Sequence, residues 1–458
     1  MRRISVLMAF LITGYILGIW NFLVLPRYYI VFGMKGFLIS LIPLLTAVFL
    51  AYEEAESTKK TRYLVYELFF KIARMPAVIF SLMMFLLIML GITTYYTSYS
   101  IRYIFGLGEA YVPVIAVLTI LLATFLLVLA KGRTLEFISG LSILMIIFTI
   151  ISTILVRDQA LAAVTSEQAR YYMNQAVSAI TSLNSQLSGQ GLVMLIVSIV
   201  IAFGLGAGVY YVIGSFAPED LDFKKVLIGV FFLQLVLSLA AAYTMAYSLG
   251  PAFQAFEKSV HNPNISPEES FRLYTQFQAL RSYTTNSTTP VQASIKVFYL
   301  IPEILKRVPG AEKIVYLLIS SLYFAGLTTI IVLIEMGSQM FSEVMQINRG
   351  KSLTVVSIIA MFVVVAMMVR EVQLMFLAVP FGVGALMAAL EAYPLLPSEV
   401  STNKWLVGLV TLLLALASII AMYYLFARGV LSVRIGIILG LVLFVPVLMN
   451  GVLLRGRR

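Results

Sequence analysis

The sequence predicts an all-α polytopic membrane protein with about twelve transmembrane helices, and three observations carry that prediction. Of 458 residues, 61% are hydrophobic and only 12% are charged, and the mean hydropathy is +0.99, far from a soluble domain, in which about a quarter of residues are charged. Apolar runs of the roughly 20 residues that one helical span requires follow one another along most of the chain, which leaves no room for a large soluble domain. Finally, there is no cysteine and one histidine, His261. Disulfides, thiolate metal sites, thiol nucleophiles and a histidine metal cluster therefore fall away together.

In chain order, the apolar runs place helices at 4–25, 33–52, 77–104, 112–130, 134–156, 191–215, 223–248, 312–341, 353–369, 372–393, 404–427 and 431–454. The first begins after Arg2 and Arg3 and continues to Leu25 without the short core and small-residue cleavage site of a signal peptide, so it is read as a span. A net charge of +11 would point to nucleic acid in a soluble chain. Here the lysines and arginines gather beside the spans. With the N-terminus inside, just over half of the 32 fall on the inner side, and many of the others sit in one long segment where the positive-inside rule counts little. The expectation is a plasma-membrane protein with both termini cytoplasmic, the lipid bilayer as its surroundings and no nucleic-acid partner. Two polar segments, 157–190 and 249–311, are expected as external loops. The second carries Asn264-Ile265-Ser266 and Asn286-Ser287-Thr288, glycosylation acceptor patterns that agree with this orientation.

Three spans carry features that an inert membrane helix does not need. The first holds Gly14, Gly18, Asn21 and Pro26, and a helix interrupted there frees backbone groups that neighbours, water or a bound ion must satisfy. The four-residue spacing of Gly14 and Gly18 also suits close helix packing. The sixth reads Gly204-Leu205-Gly206-Ala207-Gly208. Interrupted first and sixth spans, in corresponding places of two five-helix halves, are the pattern of an inverted-repeat transporter with a midplane site. In the eighth, Thr328-Thr329 sets two hydroxyls in an apolar run. Hydroxyls with freed carbonyls suit a hard cation, although threonines also bond to the carbonyl one turn back. No serine, histidine or carboxylate constellation is expected inside the spans, so no catalytic residue, no organic cofactor and no enzyme activity are predicted.

These segments resemble the neurotransmitter:sodium symporter family, whose bacterial leucine transporter defines the LeuT fold. The likeness lies in Gly18-Ile19-Trp20-Asn21-Phe22 with Pro26, in Gly33, Gly36-Phe37 and Ala51-Tyr52-Glu53-Glu54-Ala55-Glu56, in Gly204 to Phe216, in Phe298 to Pro309, and in Ala325-Gly326-Leu327-Thr328-Thr329. It covers about residues 1–350. The resemblance implies one transporter domain over 1–458, with a first repeat at about 1–156, a second at about 191–393, and two further helices at about 404–454. It implies sodium-coupled symport of a small organic solute, an amino acid or related compound, by alternating access. The alternatives are a sodium-independent or proton-coupled member of the same fold, and a receptor or scaffold that keeps the fold without transporting.

The resemblance also implies site residues. One sodium ion would meet the carbonyls of Gly14, Leu17 and Ala325 and the hydroxyls of Thr328 and Thr329. A second site is depleted: Ile16 and Asn21 remain, but Ala202 and Gln234 stand where the family has threonine and asparagine. Gly18, Ile19, Trp20, Met89, Ile201, Ala202, Phe203, Gly204, Ala207, Thr329 and Leu333 would line the solute pocket. Trp20 there replaces a glycine, and Met89 falls about where a tyrosine holds the amino-acid carboxylate. Val24 takes the place of the external gate arginine, with Arg27, Arg370 and Glu371 as substitutes. At the cytoplasmic end Glu343 is expected to pair with Arg2 or Arg3.

Overall fold

The computed structural model describes residues 3–129, 133–286, 295–396, 401 and 403–451, and among them the chain is helical without strands. Eleven helices are long and apolar enough to cross a membrane. They are Arg3–Leu23, Gly33–Thr61, Val78–Phe105, Glu109–Leu129, Thr134–Ala163, Phe223–His261, Glu312–Met345, Arg349–Ala366, Arg370–Leu395, Lys404–Arg428 and Leu431–Leu448. The expected sixth span is divided into Gly189–Phe203 and Val209–Phe216, neither long enough alone. Counting this divided span sixth, the order along the chain is the expected one.

Several helices outrun their apolar stretches. The second continues through Glu53, Glu54 and Glu56 to Thr61 and stops where Arg62 turns left-handed, φ 56°. The seventh has 39 residues, about 58 Å at 1.5 Å per residue against a hydrocarbon layer of about 30 Å. The expected loop from 249 therefore begins as a continuation of that helix to His261, past Pro251. The loop expected from 157 likewise begins as helix, to Ala163. Both expected loops also fold in part, as Glu167–Thr181 and Pro267–Thr285, each opened by a serine cap, Ser166 and Ser266.

Four of the eleven long spans, together with the divided sixth, form the interior. In the first, third, eighth and tenth, between 72% and 83% of the apolar stretch is buried, whereas in the other seven long spans it is 39% or less. The outer spans present leucines and isoleucines such as Leu412, Leu413, Ile419 and Ile438 outward, as a lipid-facing surface requires. Glycine lets the inner helices approach. A Cβ on Gly326 would lie 1.9 Å from the Thr97 hydroxyl, and one on Gly214 2.1 Å from the Ala55 carbonyl oxygen.

The first and sixth spans are both broken. After Ile16 the first leaves helical geometry until Trp20. The amide of Asn21 bonds to Gly18 at 3.1 Å, so the Leu17 carbonyl receives no bond from the residue four on. In the sixth, Gly204, Gly206 and Gly208 adopt φ of 65°, 90° and 74°, a region costly to any residue with a Cβ.

Candidate functional site

The two breaks face the inside of the bundle, and the eighth span runs unbroken beside the first. The Thr328 hydroxyl stands 3.0 Å from the carbonyl of Gly14, across the helix boundary, and 3.0 Å from those of Phe324 and Ala325. Thr329 lies 3.0 Å from Ala325. The approach needs glycine: a Cβ on Gly14 would sit 3.3 Å from that of Thr328 and 2.2 Å from the Ser142 hydroxyl, and one on Gly18 2.1 Å from the Thr329 hydroxyl. Of the expected ligands, Gly14, Ala325, Thr328 and Thr329 thus come together, with the fully buried Leu17 next to Gly18 in the break. Hydroxyl and carbonyl oxygens without a formal charge suit a hard monovalent cation.

Most of the groups expected for a second cation are bonded to one another, but the buried Gln234 side-chain oxygen meets no donor among the described residues. Gln234 donates to the Asn21 side-chain oxygen at 2.7 Å, and the Asn21 amide nitrogen in turn donates to the Ile16 carbonyl. The chain of bonds links the seventh span to the break in the first and takes up the Asn21 and Ile16 oxygens. Ala202 adds no side-chain oxygen to it.

Between the breaks lies a central cavity of about 10 Å³, room for about one water. Trp20, Met89, Ile201, Ala202, Gly204, Ala207, Thr329 and Leu333 line it as expected, and Tyr15, Phe85, Thr93 and Leu205 join them. Three expected residues do not. Gly18 backs Thr329, while Ile19 and Phe203 are fully buried in the surrounding packing. The cavity is small because Trp20 occupies it: the indole N–H donates to Thr93 at 3.0 Å, and the ring meets Tyr96 edge-on at 6.4 Å.

Two carboxyls contradict the expectation that none gather inside the spans. Glu391, on the tenth, and Glu54, on the second, are both completely buried. One Glu391 oxygen accepts from the amide of Gly208 at 2.6 Å and the other from that of Gly206. The Tyr211 hydroxyl donates to the Glu391 carbonyl at 2.8 Å, and that of Tyr15 to the Gly204 carbonyl at 2.9 Å. Neither Glu54 oxygen meets an N–H or hydroxyl donor among the described residues. Glu54 interacts electrostatically with Glu391, and two carboxyls can bond to each other only if they share a proton, because an ionised carboxylate only accepts. A glutamate at the end of each of two apolar runs was the available signal.

The ends of the bundle depart from expectation. Arg3 pairs with Glu136 at 2.5 Å, both partly exposed, rather than with Glu343, because the fifth span packs against the first. Arg2 lies outside the described residues. Glu343 instead accepts from the Tyr66 amide at 3.2 Å and so anchors the segment after the second span. At the opposite end Arg27 is buried and donates to the Asn286 carbonyl at 2.5 Å. Arg370 is exposed at the mouth of a wide vestibule of about 820 Å³.

No family model and no curated protein matches the chain.

Proposed function

We propose that the chain is a secondary transporter of the LeuT fold, with five-helix halves related by a pseudo-twofold axis in the plasma membrane, which couples the movement of a small organic solute to sodium. Alternating access would reset a site between the breaks in the first and sixth spans. The observation that carries this reading is the Thr328 hydroxyl, which donates to the Gly14 carbonyl at 3.0 Å and so brings hydroxyl and carbonyl oxygens of an unbroken and a broken helix together. A cation there would stabilise one arrangement of the two helices over another, which is what coupling requires. The depleted second site argues for one sodium ion per cycle.

A second reading, coupling to protons, is favoured by the Glu54–Glu391 pair, since ionisable groups inside a membrane protein commonly mark proton paths. Reconstituted proteoliposomes separate the two. An amino-acid screen under an inward sodium gradient at fixed membrane potential is expected to find a solute whose uptake stops when choline replaces sodium. Uptake driven equally well by a pH gradient without sodium would favour the proton reading, and no sodium-dependent uptake across the screen would overturn the proposal.

A further inference from the structure

The central cavity and the vestibule differ in a way that bears on where solute is recognised. The first holds about 10 Å³, too little for any organic solute, whereas the second holds about 820 Å³, within the range of about 300–1,000 Å³ usual for small-molecule sites. Trp20 and Tyr96 stand between them: Trp20 lines the cavity below, Tyr96 lines the vestibule above, and their rings touch edge-on.

We propose that the vestibule is a binding site for an organic anion with a flat apolar body, and that Trp20 closes the space beneath it. This deepens the transporter reading by naming the place and class of its solute. Tyr95 and Tyr96 border the inner end of the vestibule but are buried, and the apolar surface that it offers a ligand comes from Met368, Val430 and the half-buried Leu374. The Tyr95 hydroxyl accepts from Gln373 at 2.7 Å, which leaves its own proton to donate.

The charge around the vestibule is positive and partly uncommitted. Lys296 is neutralised by its ion pair with Glu109. Arg428 spends one nitrogen on the neutral side chain of Gln190, at 2.5 Å, and keeps its charge. Arg370 makes no hydrogen bond or ion pair with the described residues, and it opens the tenth span at an N-terminus without a side-chain cap, an end that itself favours negative charge. A carboxylate or sulfonate set against Arg370, with its ring against Met368, Leu374 and Val430, would satisfy both surfaces.

The test uses the full chain, purified in detergent without sodium, and calorimetric titration with 2-naphthoate and its neutral counterpart 2-naphthamide. The expected result is that 2-naphthoate binds at least tenfold more tightly than the amide, that Arg370→Gln removes this preference, and that Ala110→Trp, a bulky change at an exposed vestibule position, weakens both ligands. Circular dichroism identifies variants that keep the wild-type fold. An absence of 2-naphthoate binding, an equal affinity for the two ligands, or a preference unchanged in folded Arg370→Gln would overturn the proposal. The titration reads equilibrium binding and involves no flux, so a failure here is distinct from a failure of sodium-driven uptake.

Discussion

Glu391 receives the amides of both Gly206 and Gly208, the latter at 2.6 Å, so a carboxyl of the tenth span supplies the hydrogen bonds that the sixth gives up where its helix breaks. A buried amide left without an acceptor costs about 1–3 kcal/mol. Glu391→Ala strands two of them and removes the partner of Glu54, and is expected to cost about 3 kcal/mol or more. Thermal unfolding in detergent measures it. Stability equal to wild type would show that the break is held by other groups. Glu391→Gln keeps one acceptor oxygen but turns an N–H₂ towards the other amide, and its stability should fall between the two.

Thr328 and Thr329 are expected to carry the sodium response. Replacing both with valine keeps their branched shape and removes both hydroxyls, so the helix should survive while sodium-dependent binding or uptake is lost. Sodium dependence at the wild-type level in the double variant would place the ion elsewhere.

One sodium ion per cycle is expected, because Gln234 holds Asn21 and Asn21 holds Ile16. Sodium gives up its hydration only for comparable oxygen contacts, and here Ala202 supplies no side-chain oxygen while Asn21 and Ile16 accept from side-chain amides. The Hill coefficient for sodium, measured by solute flux at fixed membrane potential, should lie near one. A value clearly near two would show that this chain of bonds opens.

Gly214→Ala tests the packing of the sixth span on the second. The new Cβ would lie 2.1 Å from the Ala55 carbonyl oxygen and 2.2 Å from the Thr58 hydroxyl. A backbone atom cannot move aside cheaply, so overpacking should cost about 1–3 kcal/mol, read as a lower unfolding temperature. An unchanged unfolding temperature would mean that the two helices separate without loss.

The breaks in the first and sixth spans were legible from the sequence because glycine, asparagine and proline act through local backbone geometry, which short stretches encode. Thr328-Thr329 was legible for a similar reason, as two hydroxyls among apolar neighbours. Glu54 was not. It stands among Glu53 and Glu56 near the end of an apolar run, where hydropathy reads an interfacial cluster, and only the extension of the helix to Thr61 brings it inside. Its meeting with Glu391 joins residues far apart in the chain, and no periodicity encodes such a contact. The same is true of Arg3, whose charge was evident but whose partner, Glu136 rather than Glu343, depended on which helix packed beside the first. The narrowness of the central cavity was foreshadowed by Trp20 in a glycine's place, but its size required the positions of Thr93 and Tyr96.

The left-handed glycines at 204, 206 and 208 also limit how this segment can change over generations. A single base change in a glycine codon yields alanine, valine, serine, arginine, cysteine, tryptophan, aspartate or glutamate. Apart from aspartate, whose short polar side chain eases the cost, none of these occupies that backbone region readily. Asparagine, the residue that bears it best after glycine, lies two base changes away. Except along the route through aspartate, drift at these codons passes through poorly folding intermediates, and a saturation-mutagenesis library selected for folded protein should be most depleted at these three alternate positions.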